Sequence, residues 1–355
     1  MSEQAPINEI LSVITAPAFS VSNGVITHCN DSAQRLLFQQ GTAIEELLSS
    51  NSSEYANFEQ GCLFITLNHN GQHHSASVVR VNGENVFVLD EDSERIELKT
   101  LSMTAANMRQ PLSAMIASTS NLTAALEQTE DPKIHTQLQH MNRNLCRMHR
   151  MLCNMSDALQ YADGNSNNMV CQNIVSVVDG IFQQAQELCR LSNIHLEYSV
   201  PSEAILCNID EALLERGIYN MLSNAIKFSP QGSVIHAELS RRGDRVYISI
   251  QDQGSGIPTS ILSSVFQRYQ RQPGLEDGRF GLGLGLVLVR CAARIHGGTV
   301  LVDHPDKVGT RITVSFPIRQ NTTALLRSQV TRVDYAGGWS HGLLELSDVM
   351  PADLF

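Results

Sequence analysis

Two amides one helical turn apart, Asn220 and Asn224 in NMLSNAIKFSP, are the first residues here whose types and spacing could do chemistry. Side chains at i and i+4 leave a helix on the same face. An amide carbonyl is a hard-oxygen ligand suited to Mg2+, and Lys227 adds positive charge where phosphates would lie. In DQGSGIP, Asp252 follows a strand, and Gly254 and Gly256 allow a tight, closely approaching loop. A buried carboxylate there can accept a hydrogen bond from an adenine amino group. VFQRYQRQPG follows, and then GLGLGL, whose Gly281, Gly283 and Gly285 open the helical run VLVRCAARIHGG. Glycines at that place let backbone N–H groups and the helix dipole cradle phosphate. VGTRITVSFP then sets Gly309 and Thr310 at the start of a strand. Each segment alone is a common pattern, but four in this order point to one site.

The elements that must position them run from 169 to 317. VVDGIFQQAQELC and ALLERGIYNMLSNAIKF are amphipathic helices, and IHLEYSV, VIHAELSRRGDRVYISIQDQ, TVLVDH and TRITVSFP are strands. That mixture predicts an α/β sandwich with helices on one face of a mixed sheet. Upstream, over 92–162, the period changes. Leu98, Leu101, Ala105, Met108, Leu112, Met115, Thr119, Leu122 and Leu126 form one heptad stripe, and Ile134, Leu138, Met141, Leu145, Met148, Leu152, Met155 and Leu159 form a second. The short connector EQTEDPK makes them an antiparallel hairpin. One hairpin cannot bury both stripes, so two hairpins in a homodimeric four-helix bundle are predicted.

Residues 5–90 read as a small α+β unit. FSVSNGVITHCN and the later meander CLFITLNHNGQHHSASVVRVNGENVFVLD place Asn-Gly pairs at 23–24, 70–71 and 82–83, each flanked by alternating runs. DSAQRLL and AIEELL between them read as short helices.

The four segments of the 169–317 region resemble the ATP-binding domain of sensor histidine kinases, within the wider ATPase family of gyrases, chaperones and mismatch-repair proteins. With the hairpin, the resemblance spans 92–317. The N-terminal unit, through HCNDSAQRLL and its meander, resembles a PAS sensor domain, either ligand-binding or a plain scaffold. The implied fold class is multidomain α+β: a PAS-like sensor (5–90), a dimerisation hairpin (92–162), an ATP-binding catalytic domain of the histidine-kinase/Hsp90-type ATPase fold (169–317) and a C-terminal tail (318–355). The resemblance implies ATP and Mg2+ as cofactors and a response regulator as partner. It assigns Asn220 and Asn224 to Mg2+, Lys227 and the Gly281–Gly285 loop to phosphates, and Asp252, Gly254, Gly256 and Thr310 to the adenine end. Phe266 and Tyr269 fall in a lid between Val265 and Phe280. The hydrolases of the wider family carry Glu where Asn220 stands, and an amide cannot act as a general base.

The first hairpin helix of the kinases carries a His-Glu-Leu-Arg-Thr-Pro-Leu pattern, and here the matching run is Ala106-Asn107-Met108-Arg109-Gln110-Pro111-Leu112. Arg109, Pro111 and Leu112 agree, and the acceptor histidine is replaced by Ala106 and its acidic neighbour by Asn107. Phosphorylation at the usual position is excluded in this register. Thr104 and Ser102 are poorer acceptors without a base, and His135, His140 and His149 lie on the second helix. Gln110, one turn after Asn107, is placed to orient water on a phosphorylated partner. A phosphatase, a degenerate kinase and an ATP-gated binding module all remain open.

The bulk numbers bound these readings. The chain has 355 residues, is 42% hydrophobic and carries a formal net charge of −11. That acidity argues against nucleic acid as a partner. Eight scattered cysteines form no metal or disulfide pattern and fit reduced, mostly buried thiols. No leader and no apolar run long enough to span a membrane are seen, so a cytoplasmic protein with no membrane partner is expected. In the tail, LLELSDVMP reads as a short helix able to dock on the core.

Overall fold

Three Asn-Gly pairs turn the N-terminal strands. Asn23, Asn70 and Asn82 have φ of 50°, 51° and 52°, and the glycines after them 77°, 76° and 87°. Both residues of each pair lie in the left-handed region, as a two-residue hairpin turn requires. The turns join β1 (Ala18–Ser22) to β2 (Val25–Cys29), and β3 (Cys62–His69) through β4 (Gln72–Val81) to β5 (Glu84–Leu89). Helix α1 (Ile7–Val13) precedes them, and α2 (Asp31–Arg35), a 3-10 turn at Ile44–Glu46 and α3 (Ser52–Ala56) lie between β2 and β3. The core of this unit holds Phe19 stacked on Phe38 and on Phe87. The structure is a computed structural model that describes residues 7–48, 51–90, 93–126, 131–161, 168–257, 284–305, 309–319 and 340–355.

The hairpin consists of α4 (Ser93–Leu126), with Pro111 inside it, and α5 (Pro132–Gln160). Its stripes are divided in a regular way. Ala105, Leu112 and Thr119 are buried with Leu138, Leu145 and Leu152, whereas Met108, Met115 and Leu122 stay exposed, as do Met141 and Met148. Every second heptad position therefore faces the partner helix of the same chain, and the alternate positions face outward.

The third unit packs α6 (Ile174–Leu191), α7 (Glu211–Phe228) and α8 (Gly285–Ile295) with a sheet ordered β11 (Thr299–Asp303), β12 (Arg311–Pro317), β10 (Arg245–Gln251), β9 (Val234–Arg242) and β7 (His195–Ser199). The β7–β9 pair is parallel and the rest antiparallel, a mixed sheet. β6 (Val170–Asn173) and β8 (Leu206–Ile209) form a separate two-stranded sheet that the sequence patterns do not announce.

Asp210 caps α7, its carboxylate accepting from the Leu213 N–H at 3.1 Å. The Asp210 N–H donates to Nε2 of His296 at 3.1 Å, and Nδ1 of His296 lies 2.7 Å from the Ala292 carbonyl oxygen. Nδ1 thus carries the proton of a neutral ring, and burial holds the His296 pKa below its ordinary value. The folded state resists a proton that the unfolded state accepts near pH 6.5. Stability is therefore full above that pH and falls below it, by at most about 1.4 kcal/mol per pH unit. Urea unfolding at pH 7.5 and 5.5 is expected to show this loss in the native chain and not in His296→Gln, which keeps a donor and an acceptor but does not titrate.

The N-terminal and third units are joined in a way no local pattern predicts. β3 pairs antiparallel with β11, Val300 facing Phe64 and Val302 facing Cys62, so the two sheets form one of ten strands, β2-β1-β5-β4-β3-β11-β12-β10-β9-β7. Each strand would otherwise present unpaired N–H and C=O groups at an edge. Gly61, at φ 91°, passes so close to the Val302 carbonyl that any side chain would collide with it. Glu54 pairs with Arg245 and accepts from Ser315 Oγ at 2.8 Å, and Arg290 pairs with Asp90. Among the described residues, no helix is long and apolar enough to cross a membrane.

Candidate nucleotide site

Asn220 lies on the buried side of α7, 2% exposed. Its Nδ2 donates to the Arg216 carbonyl at 2.8 Å, which aims Oδ1 at the start of α8. There Gly285 approaches so closely that a Cβ would sit 2.8 Å from that oxygen. A side chain at 285 would have to push the Asn220 amide aside. Asn224 and Lys227 follow at one-turn and two-turn spacing, both half-buried. Gly281, Gly283, Phe266, Tyr269 and the whole predicted lid fall outside the described residues.

Asp252 follows directly on β10. It is 8% exposed, and its Oδ1 accepts from the Gly254 N–H at 2.8 Å and the Thr310 N–H at 3.1 Å. The backbone closes the same corner twice more, Asp252 N–H to Thr310 O at 2.9 Å and Gly309 N–H to Gly254 O at 2.9 Å. Oδ2 has no hydrogen bond to the described residues. Burial raises the Asp252 pKa above the ordinary carboxylate value, partly opposed by the two backbone N–H groups and nearby His304. Three glycines make the corner possible. A side chain on Gly254 would meet the Phe228 carbonyl at 2.5 Å, which ties this loop to the end of α7. Gly309 has φ 78° and no room beside the Asp252 carbonyl, and Gly256 has φ 75°.

Sequence reasoning missed two contributors. His304 places Nδ1 2.6 Å from the Gly309 carbonyl and Nε2 2.8 Å from the Ile257 carbonyl, bracing both loops. A lone histidine after a strand carries no such signal. Arg150, from α5, donates to Asn220 Oδ1 at 3.2 Å and to Ser223 Oγ at 3.3 Å. Seventy residues separate Arg150 from Asn220, and only the packing of the hairpin against α7 brings them together.

The donor set fits a hard cation. Among the described residues no group of three or more His, Cys, Asp or Glu could hold a metal, so a cation here would rest on amide oxygen and ligand phosphate. Asn220 Oδ1 is such an oxygen, already oriented by the Arg216 carbonyl. On α4, Ala106, Asn107 and Gln110 are all exposed, with Ala105 buried beneath them. Thr104, His135 and His140 are also exposed, and His149 is half-buried.

Comparison with known proteins agrees with this geometry. The profile of the family described as histidine kinase-, DNA gyrase B-, and HSP90-like ATPase matches residues 209–320. The adaptive-response sensory kinase SasA of Crocosphaera subtropica is 31% identical over 264 residues, 69% of this chain and 67% of that protein. Hybrid signal transduction histidine kinase D of Dictyostelium discoideum is 27% identical over 253 residues, 69% of this chain and 16% of that much longer protein. The sensor protein KdpD of Clostridium acetobutylicum is 26% identical over 211 residues, 59% of this chain and 23% of that protein. Among solved structures, full-length ShkA in complex with AMPPNP shares the fold at a TM-score of 0.51 and 18% identity, over 63% of this chain and 46% of that one. An amide pair one helical turn apart, a carboxylate corner and a glycine-opened helix on one mixed sheet, behind a two-helix hairpin, meet in the same molecule that aligns along most of its length with a sensory kinase, and this chain belongs to the sensor histidine kinase family.

Proposed function

We propose that this chain binds Mg-ATP between α7, the Asp252 corner and the start of α8, and signals to a response regulator without phosphorylating its own hairpin at the usual position. The observation that carries the reading is the Asp252 carboxylate, held through Oδ1 by two backbone N–H groups with Oδ2 left for an adenine amino group. Thr310 and the glycines at 254, 256 and 309 shape the adenine end. Lys227 and the glycines at 281, 283 and 285 would serve the phosphates, and Asn220 and Asn224 would hold Mg2+. Bound Mg2+ supplies neutralisation of phosphate charge. Asn220, an amide, cannot take a proton from water, so the site holds nucleotide without hydrolysing it by itself.

The exposed half of each heptad stripe, Met108, Met115 and Leu122 with Met141 and Met148, supports a homodimer through the hairpin. With Ala106 in place of histidine, the hairpin carries no phosphohistidine at that position to donate to a response regulator. A second reading, a response-regulator phosphatase, is favoured by exposed Gln110 one turn from Asn107, which needs only to position water. Timing phosphate loss from a phosphorylated regulator separates it from an ATP-gated binding module.

Calorimetric titration with Mg-ATP tests the site. Asn224→Ala, half-buried and away from the core of α7, is expected to leave the fold intact and reduce binding below detection. Unchanged affinity would sink the assignment.

A further inference from the structure

The C-terminal segment 340–355 is the least explained part of the chain and one of its best-anchored. Helix α9 (His341–Glu345) is capped by Ser340, whose Oγ also accepts from Gln184 Nε2 at 2.8 Å. Leu344, Leu346 and Met350 are fully buried. Gly342 lies against α7 and α6 so tightly that a Cβ would be 2.7 Å from Tyr219 Oη and 3.0 Å from Leu188. Asn142 on α5 donates to the carbonyl of the last residue, Phe355, at 2.9 Å. The segment therefore touches both the hairpin and the nucleotide-binding unit.

Its charges fall on the seam between those units. Glu345 is fully buried and gives one oxygen to each side: Oε1 to Arg216 of α7 at 3.0 Å and Oε2 to Arg150 of α5 at 3.3 Å. Asp348 adds Oδ2 to Arg150 at 2.8 Å and Oδ1 to Arg147 at 3.0 Å. Arg216 also pairs with Asp157 of α5 and donates to Asn154 at 2.6 Å. The guanidinium that reaches Asn220 Oδ1 is thus held by two carboxylates of the tail. Among the described residues, Arg150 without them would be a buried cation facing the neutral Ser223 hydroxyl and Asn220 amide, an unfavourable arrangement.

We propose that segment 340–355 is an autoinhibitory latch, which pins the nucleotide-binding unit to the hairpin and keeps Arg150 on the Asn220 oxygen that Mg2+ would use. The inference rests on the reading of Asn220 as a metal ligand. A guanidinium and Mg2+ on one amide oxygen repel each other at short, poorly screened range, so the latched state and Mg-nucleotide compete. Linkage makes the competition reciprocal: opening the latch tightens Mg-nucleotide binding, and Mg-nucleotide loosens the latch. Nucleotide without metal does not need the Asn220 oxygen and is indifferent to the latch.

Two full-length variants open it by different means. Glu345→Gln with Asp348→Asn removes the charges that hold Arg150 and keeps the shape. Gly342→Val wedges α9 away from Tyr219 and keeps the charges. Amide hydrogen exchange over 141–157 and 340–355, without nucleotide, is expected to be faster in both variants than in the native chain. Calorimetry is expected to give about tenfold tighter binding of Mg-AMPPNP in both, with AMPPNP in EDTA unchanged. Unchanged exchange in both overturns the latch. Faster exchange with equal or weaker Mg-AMPPNP affinity overturns the competition at Asn220. Absence of nucleotide binding by every chain, native included, sinks the nucleotide reading and the competition with it, while the exchange data still decide whether the segment is a latch.

Discussion

Asp252→Asn is expected to weaken ATP binding by roughly a hundredfold, the cost of one hydrogen bond to a charged group. The substitution is chosen to separate recognition from folding. The amide oxygen can still accept from the Gly254 and Thr310 N–H groups, which now meet Oδ1 at 2.8 and 3.1 Å, so the corner keeps its shape. The new NH2 stands where Oδ2 was and presents a donor to the adenine amino group, itself a donor. Asp252→Ala would lose more, because two buried backbone N–H groups would be left without an acceptor. The carboxylate also sets a pH dependence. Burial raises its pKa, so the ionised acceptor is lost on acidification at a higher pH than for an exposed aspartate. Affinity in the native chain is expected to fall as the pH approaches that raised value, and Asp252→Asn, already weak, is expected to show no such fall. Calorimetry across pH with an unfolding control checks both statements, and equal affinity in the two chains would remove Asp252 from the site.

Restoring the missing chemistry on the hairpin is expected to have the second large effect. The native chain, incubated with γ-labelled ATP, is expected to take up no acid-labile label. The double substitution Ala106→His with Asn107→Glu is expected to gain it, since it supplies a nucleophilic imidazole and an acidic neighbour to take its proton. Local geometry permits the change: positions 106 and 107 are both exposed, while Ala105 beneath them is fully buried and keeps the seam. Adding Asp252→Asn should abolish the gained label, which ties it to this nucleotide site. Acid-labile label on the native chain would instead point to His135, His140 or His149 and contradict the reading of Ala106 as a lost acceptor. Acid-stable label would favour a hydroxyl such as Thr104.

Much of the architecture is readable from short stretches because its causes are short-range. An Asn-Gly pair reads as a tight turn because both residues tolerate positive φ, and all three pairs adopt it. Heptad spacing marks the hairpin because a helix repeats every few residues, and the buried and exposed halves of each stripe follow that spacing. The segments proposed for nucleotide are legible because the phosphate and metal recognition proposed for them would need glycine and amide at fixed offsets. His304 was not legible, since one of its two carbonyl partners, Ile257, belongs to a different loop 47 residues away. Nor were β6 and β8, four-residue strands too short to show a period.

What the sequence by itself determined is therefore the set of parts: turns, hairpin, amide pair, carboxylate corner, glycine loop and the absence of a histidine at position 106. Tertiary structure alone decided how those parts constrain one another. The pairing of β3 with β11 makes one sheet of two, and Glu345 meets Arg150 across 195 residues of chain. Such contacts depend on which surfaces remain unsatisfied after each element has formed: an open strand edge in the first case, buried arginines needing a carboxylate in the second. Burial and charge pairing between distant segments leave no periodicity in the chain, and they are what place a cation from the hairpin on the oxygen of Asn220.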